Sequence, residues 1–236
     1  SMTDQGVFEE YTGFTEDEVK TLCVQFDMDF AEMGSWYDGY MFTGYQHIYN
    51  PKSVVEAMRR RKFSNYWTST ETYEALKIYM DMDFDGLRTD IVQMLGGGHV
   101  KVNTRSFQND MRSFKTKDDL LTLMIHLGYL AYDFDTRETF IPNKEIIEEF
   151  ENAMSVGGWT NVMNVLTASE QLLKDTLDGN AGCVAEGLDR THMEVASILT
   201  YNDENSQSLA DALSDKDLCA LIGLAYYSAR RDYRLI

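Results

Sequence analysis

The sequence marks the starts of its helices with unusual clarity. Residues 15–18 read Thr-Glu-Asp-Glu, a capping box in which the threonine and the last glutamate each satisfy a free backbone N–H group. Residues 68–71 read Thr-Ser-Thr-Glu and repeat the pattern. Asn50 places a cap residue directly before Pro51, which suits the first position of a helix. Apolar residues at helical spacing follow each of these signals, so the chain is predicted to be mainly α-helical.

One region between the helices follows a different pattern. Residues 99–103 alternate like a short strand, and residues 129–132 and 138–141 frame an acidic turn that predicts a hairpin. A helix predicted from Thr116 to Gly128 lies between them. The order of strand, helix and hairpin is typical of a winged helix, but the acidic start of that helix suits a DNA groove poorly. We therefore predict a packing or regulatory module, within a mainly α fold of helical bundle subdomains with a small winged-helix-like β hairpin.

The glycine pair at residues 157–158 is the best candidate for a domain boundary. It divides the chain into residues 1–156, a helical and winged-helix-like region, and residues 157–236, a second helical region. The end of the chain, residues 192–236, reads as a helix followed by a strand that begins at Leu224.

Residues 36–42 hold four aromatic side chains around an Asp-Gly pair. Two interpretations fit this stretch. It could form a platform on which a nucleic-acid base stacks, or a turn that aromatic packing fixes onto the neighbouring helices. The second interpretation is favoured because no basic residues surround the aromatic ones.

The formal net charge of −18 sets the expectation for partners. An acidic surface repels phosphate backbones, so nucleic acid is not expected to bind this chain alone. Local basic clusters are nevertheless the candidates for nucleic-acid contact. They comprise Arg59, Arg60 and Arg61, together with Arg105 and Arg112. A basic run at the end of a helix is more often a solvated terminus that complements the helix dipole.

The sequence lacks the common signals of membranes, cofactors and catalysis. It has no apolar run of about 20 residues, which a membrane span requires. Its three cysteines are far apart, as is typical of free thiols in a reducing cytoplasm, where we expect the protein to reside. It has neither a phosphate-binding loop nor a nucleophile elbow, and its histidines and cysteines do not cluster as metal ligands do. We therefore expect no cofactor, no metal and no complete catalytic site in this chain.

Several motifs together resemble a known family. These are Phe-Thr-Glu-Asp-Glu-Val at 14–19, Trp-Tyr-Asp-Gly-Tyr at 36–40, Tyr-Asn-Pro-Lys-Ser-Val at 49–54, Tyr-Trp at 66–67, Leu-Met-Ile-His-Leu-Gly-Tyr-Leu at 123–130 and Ile-Pro-Asn at 141–143. The chain resembles the C-terminal part of the AAA-ATPase-like family, where it runs into the start of a PD-(D/E)XK nuclease-like domain.

The resemblance implies that this chain is one part of a longer protein whose other parts carry the ATPase and nuclease activities. An ATPase core would precede residue 1, and the catalytic strands of the nuclease would follow Ile236. Glu204 matches the family's glutamate on the first nuclease helix, which supports the metal site, although residues 207–218 depart from the family pattern. The implied function is a non-catalytic helical middle segment that couples the ATPase and nuclease parts. The alternative is an interaction module that binds a protein partner through an acidic helical surface.

Overall fold

The computed structural model describes residues 12–42, 45–67, 72–82, 84, 86–105, 114–156, 158–199 and 214–231. Within these ranges the chain forms ten α-helices and six short strands. The helices are α1 (Glu16–Phe26), α2 (Phe30–Tyr37), α3 (Pro51–Arg60), α4 (Thr72–Asp81), α5 (Leu87–Leu95), α6 (Lys117–Leu127), α7 (Lys144–Val156), α8 (Thr160–Leu177), α9 (Ala181–Leu199) and α10 (Asp215–Ala225). The strands are β1 (Phe14–Thr15), β2 (Tyr40–Phe42), β3 (Tyr45–Tyr49), β4 (Val100–Lys101), β5 (Ala131–Asp133) and β6 (Glu138–Phe140), and a 3₁₀ helix spans Tyr227–Arg231.

The prediction of a mainly α fold with a small β hairpin is confirmed. The helix caps form as the sequence indicates. The Thr15 hydroxyl oxygen accepts the Glu18 N–H, and the Glu18 carboxylate accepts the Thr15 N–H at 2.9 Å. Asn50 caps α3, with Pro51 as its first residue. The capping box predicted at residues 68–71 lies outside the described residues.

The prediction of a strand from Leu224 is wrong for residues 224–231, because α10 continues to Ala225 and a 3₁₀ helix spans Tyr227–Arg231. Leu224 lies in the last turn of α10, and the 3₁₀ helix follows it. The physical reason is the spacing of the buried side chains. Ala220, Leu221 and Leu224 recur every three to four residues and are all buried, a pattern that only a helix can place on one face.

The chain divides into two compact units. Unit 1 consists of Ser1–Tyr79 and Lys101–Ala153, and unit 2 of Met80–Val100 and Met154–Ile236. The sequence placed a boundary at 156/157, close to the 153/154 division of the structure. The structure also places residues 80–100 in unit 2, whereas the sequence had assigned them to the first region.

Unit 1 contains two small antiparallel sheets. In one, β3 lies between β1 and β2, with Tyr49 opposite Phe14. In the other, β6 lies between β4 and β5, and the hairpin pairs Tyr132 with Thr139. A small apolar cluster of Tyr40, Ile48 and Ala131 packs the first sheet against the hairpin. A larger apolar cluster of the unit lies among α1, α2 and α3.

Unit 2 is a helical bundle built from α5, α8, α9 and α10. Side chains of α5 bond to two of its neighbours: the Thr89 hydroxyl donates to the Ile198 carbonyl at 2.6 Å, and the Gln93 amide donates to the Asp217 carboxylate at 2.8 Å. Of the helices that the structure describes, none has the length and apolar character needed to cross a bilayer.

Candidate functional site

Among the described residues of unit 1, Glu145, in the first turn of α7, accepts hydrogen bonds from three different residues. It is completely buried. Its carboxylate accepts a hydrogen bond from the Ser53 hydroxyl at 2.9 and 2.8 Å to the two oxygens. It also accepts the backbone N–H groups of Tyr66 at 2.7 Å and Trp67 at 3.1 Å. One carboxylate therefore joins α7 to α3 and to the segment that follows α3.

A second buried glutamate, Glu149, lies one turn further along α7. The Asn65 side-chain amide donates to its carboxylate at 2.7 Å, and the Asn65 amide oxygen accepts the Trp67 N–H at 2.9 Å. Burial raises the pKa of Glu145 to about 6, although its hydrogen bonds act in the opposite direction. Burial also raises the pKa of Glu149. We call Ser53, Asn65, Glu145 and Glu149, with the N–H groups of residues 66–67, the glutamate network.

The aromatic stretch at residues 36–42 is packed inside unit 1. Trp36, Tyr37 and Tyr40 are buried, as the turn interpretation predicted. The Tyr37 hydroxyl donates to the Ser64 carbonyl at 2.8 Å, and the Tyr40 hydroxyl donates to the Gly128 carbonyl at 2.7 Å. Desolvation raises the pKa of both tyrosines. These buried side chains make internal contacts and therefore do not form a platform on which a nucleic-acid base could stack.

Asp38, within the same stretch, pairs with His47. The Asp38 carboxylate lies 2.6 Å from Nδ1 of His47, and the Asp38 carbonyl accepts the Asn143 side-chain amide at 2.8 Å. Burial raises the pKa of Asp38, while the bond to His47 opposes that shift. The His47 ring is about half exposed. This pair connects the turn before β2 with strand β3 and with the start of α7.

Unit 1 also has an apolar cavity of about 310 Å³ that is open to solvent on one side. Most of its walls are aromatic or aliphatic, and include Tyr40, Phe42, Ile48, Tyr49, Trp67 and Leu127. Two of these walls are held by bonds already described: Trp67 by the glutamate network, and Tyr40 by its bond to Gly128. The shape of the cavity therefore depends on the buried polar groups.

A larger cavity, of about 820 Å³, lies beside the hairpin of β5 and β6. We call it the hairpin cavity. It is lined by Lys101, Val102, Asn103, Thr104, Arg105, Asp118, Tyr132, Phe134, Thr136 and Arg137. The rings of Tyr132 and Phe134 meet edge to face, with their centroids 5.0 Å apart. The Val102 N–H donates to the Arg137 carbonyl at 3.2 Å and ties the segment after β4 to the hairpin turn.

The basic residues singled out in the sequence have different surroundings. Arg59, Arg60 and Arg61 lie at the exposed end of α3. Arg59 and Arg60 each lie 2.9 Å from the Glu56 carboxylate, and Arg60 also lies over the Tyr66 ring at 5.4 Å. These contacts fit the interpretation of a solvated helix end.

Of the remaining candidates, Arg105 lines the hairpin cavity, whereas Arg112 and Glu204 lie outside the described residues. Sequence reasoning missed Lys101 and Arg137, which line the same cavity. The signal was available in part, because Lys101 is in the predicted strand and Arg137 is in the predicted hairpin turn. Only the pairing of β4 with β6 brings the two together.

Within the described ranges, no group of three or more histidine, cysteine, aspartate or glutamate side chains is arranged to hold a metal ion. Comparison with protein-family models, with curated proteins and with solved structures gave no match.

Proposed function

We propose that this chain is a non-catalytic helical segment that couples a nucleotide-binding part and a nuclease part of one protein. The observation that supports this proposal is the glutamate network. Two of the family-like motifs meet there, since Ser53 comes from the motif at 49–54 and the N–H groups come from the pair at 66–67. Their shared acceptor, Glu145, lies two residues after the Ile-Pro-Asn motif.

The motif at 36–40 joins the same body through a separate bond, in which Asn143 of the Ile-Pro-Asn motif donates to the Asp38 carbonyl. Several polar groups of these motifs are thus used in internal bonds. A buried network of hydrogen bonds makes a segment rigid, because removing one member leaves another charged or polar group without that partner. Rigidity of this kind suits a segment that transmits a displacement between its neighbours.

Two finer assignments belong to the same proposal. The order β4, α6, β5 and β6 is the basis for treating this part of unit 1 as a winged-helix-like regulatory module. We also propose a cytoplasmic location, which the three free thiols of Cys23, Cys183 and Cys219 support.

The test is made in the natural protein that carries this chain. Its ATP hydrolysis and its metal-dependent DNA cleavage are measured with and without ATP. Ser53→Ala detaches α3 from Glu145 but leaves both backbone N–H groups their acceptor. We expect this variant to hydrolyse ATP normally and to lose the response of cleavage to ATP. Ser35→Ala, which removes an exposed hydroxyl bonded only to a nearby carbonyl of α2, should behave like the wild type.

Two outcomes would refute the coupling role. One is a Ser53→Ala protein whose cleavage still follows ATP. The other is a parent gene with no phosphate-binding loop before this segment and no nuclease motif after it. The chain by itself is expected neither to hydrolyse ATP nor to cut DNA. Metal-dependent nicking by the pure chain, abolished by Glu204→Ala, would contradict its non-catalytic character.

A further inference from the structure

We propose that the hairpin cavity binds a short segment of single-stranded nucleic acid. This inference is independent of the coupling role, since it rests on residues that take no part in the glutamate network. It concerns a site formed by β4, the segment after it, the start of α6 and the hairpin.

The first argument is charge. Lys101, Arg105 and Arg137 line the cavity and are exposed. Within the described part of the chain, none of the three has a carboxylate within 4 Å. Three cations without neutralising partners converge on one cavity, in a chain whose net charge is −18. Such a local excess of positive charge attracts an anionic ligand such as a phosphate backbone.

The second argument is the aromatic pair. Phe134 is half-buried, so part of its ring remains accessible, and the edge-to-face contact with buried Tyr132 fixes its orientation. A ring that is held in place beside cations is the arrangement on which unpaired bases stack. Asn103, Thr104 and Thr136 add groups to the same walls that can form hydrogen bonds.

The nearby carboxylates reduce the positive charge but do not cancel it. Asp118 is the acidic residue among the lining side chains of the described region, and it opposes the three cations. Asp133 is engaged in the hairpin turn, where its carboxylate accepts the N–H groups of Asp135 and Thr136 at 2.8 and 3.2 Å. Asp135 is exposed in the turn itself. An acidic peptide would also be attracted to the three cations, but its carboxylates would not stack on the aromatic pair of Tyr132 and Phe134.

The backbone conformation at Arg137 gives the site a fixed geometry. Arg137 has φ of +58°, in the left-handed region that side chains other than glycine and asparagine adopt at a cost. Its carbonyl is bonded to the Val102 N–H, which holds the hairpin turn against the segment that carries Arg105. A substitution that removes the charge and keeps this conformation is therefore Arg137→Asn.

The experiment measures binding of fluorescently labelled 12-nucleotide oligo(dT) and oligo(U) by anisotropy, at salt concentrations from 50 to 200 mM. Three phosphate contacts predict a slope near −2 for the logarithm of affinity against the logarithm of salt, or roughly a twentyfold loss across this range. Lys101→Ala, Arg105→Ala and Arg137→Asn should each reduce the slope by about 0.7. A difference between the two oligonucleotides identifies the natural ligand as DNA or RNA, and either result supports the site.

Two further variants test base stacking on Phe134 and electrostatic repulsion by Asp118 separately from the attraction by the three cations. Phe134→Leu keeps an apolar side chain and should weaken binding about tenfold with no change in the salt slope, since it removes only the stacking face. Asp118→Asn should strengthen binding about threefold, because it removes the opposing charge. Lys62→Ala is the matched control, since Lys62 is an exposed cation of the same unit that does not line the cavity.

The proposal is overturned if neither oligonucleotide binds at 50 mM salt, or if Lys62→Ala weakens binding as much as Lys101→Ala. It is also overturned if a poly-glutamate peptide competes more strongly than either oligonucleotide, which would make the cavity a site for acidic peptides. Tighter binding of duplex DNA than of single strands would likewise exclude a site that depends on stacking against Phe134.

Discussion

The Ser53 hydroxyl and the Glu145 carboxylate form a buried contact between two residues that are 92 positions apart in the chain. Ser53 lies in the first turn of α3 and Glu145 in the first turn of α7. Both side chains are completely buried. The same carboxylate also accepts the N–H groups of Tyr66 and Trp67, although the Trp67 N–H is shared with the Asn65 amide oxygen. Removal of Glu145 therefore takes this acceptor from the Ser53 hydroxyl and the Tyr66 N–H, while the Trp67 N–H keeps its bond to Asn65.

Glu145→Ala should therefore destabilise unit 1 severely. Each buried donor that loses its acceptor costs about 1–3 kcal/mol, so for the Ser53 hydroxyl and the Tyr66 N–H we expect a total loss of about 2–6 kcal/mol. Glu145→Gln should cost much less, because its amide oxygen still accepts the two N–H groups and its amide nitrogen can donate to the serine hydroxyl. Urea-induced unfolding, followed by circular dichroism, measures both effects.

The matched control for this substitution is Glu32→Ala, which changes an exposed glutamate of α2. It should alter the free energy of unfolding by no more than about 0.5 kcal/mol. A Glu145→Ala protein that unfolds at the same urea concentration as Glu32→Ala would show that the network contributes nothing to stability.

The raised pKa of Glu145 predicts a dependence of stability on pH. Its ordinary value is 4.5, and burial raises it to about 6 in the folded protein. The folded state binds the proton more tightly, so this group lowers the free energy of unfolding as pH rises from about 4.5 to about 6. The change amounts to about 2 kcal/mol and is complete above that range.

This dependence is isolated by comparing the wild type with Glu145→Gln at each pH. The buried Glu149 also has a raised pKa, but it is present in both proteins and largely cancels in the difference. The stability of the wild type relative to the variant should increase as pH falls from about 6 to about 4.5. A difference that stays constant across this window would mean that Glu145 does not change its protonation there.

The parts of the fold that the sequence predicted are those governed by local chemistry. The Thr15 capping box, the Asn50 cap and the hairpin turn each depend on residues three or four positions apart, so their signals are visible in the chain itself. The strand expected at Leu224 failed because a short apolar run suits a strand or a buried helix equally, and packing decides between them.

The candidate sites were much harder to predict. Glu145 and Glu149 are four residues apart on α7, a spacing that usually marks a solvated helix face. Only the packing of Ser53 and residues 65–67 onto that face makes the glutamates buried acceptors. The hairpin cavity likewise needs the pairing of β4 with β6, which no local signal specifies.

Tyr40→Phe tests how much the buried hydroxyl of Tyr40, whose ring lines the apolar cavity, contributes to the stability of unit 1. The substitution removes one hydroxyl and leaves the buried Gly128 carbonyl without this donor. We expect a loss of about 1–2 kcal/mol in the free energy of unfolding. Tyr226→Phe is the comparison, because its hydroxyl contacts Thr176 where water can replace it, and its cost should be smaller. Equal costs for the two variants would contradict a specific role for the Tyr40 bond.

The close approach of α5 and α10 predicts a strong effect of a single methyl group in unit 2. A Cβ atom at Gly223 would overlap the Gly96 carbonyl oxygen, and one at Gly96 would meet the backbone of Ala220. The two backbones can approach this closely only because both positions are glycine. Gly223→Ala should therefore force the helices apart at a cost of about 1–3 kcal/mol, even though alanine favours a helix more than glycine does.

Gly182→Ala makes the same chemical change at a position in α9 where a Cβ atom meets nothing within 4 Å. It should be neutral, or should stabilise the protein by up to about 1 kcal/mol through the higher helix propensity of alanine. Thermal unfolding of both variants gives effects of opposite sign if the α5–α10 contact is as close as the structure shows. If Gly223→Ala raises the melting temperature as Gly182→Ala does, the two helices have room for a methyl group and the contact is looser than described.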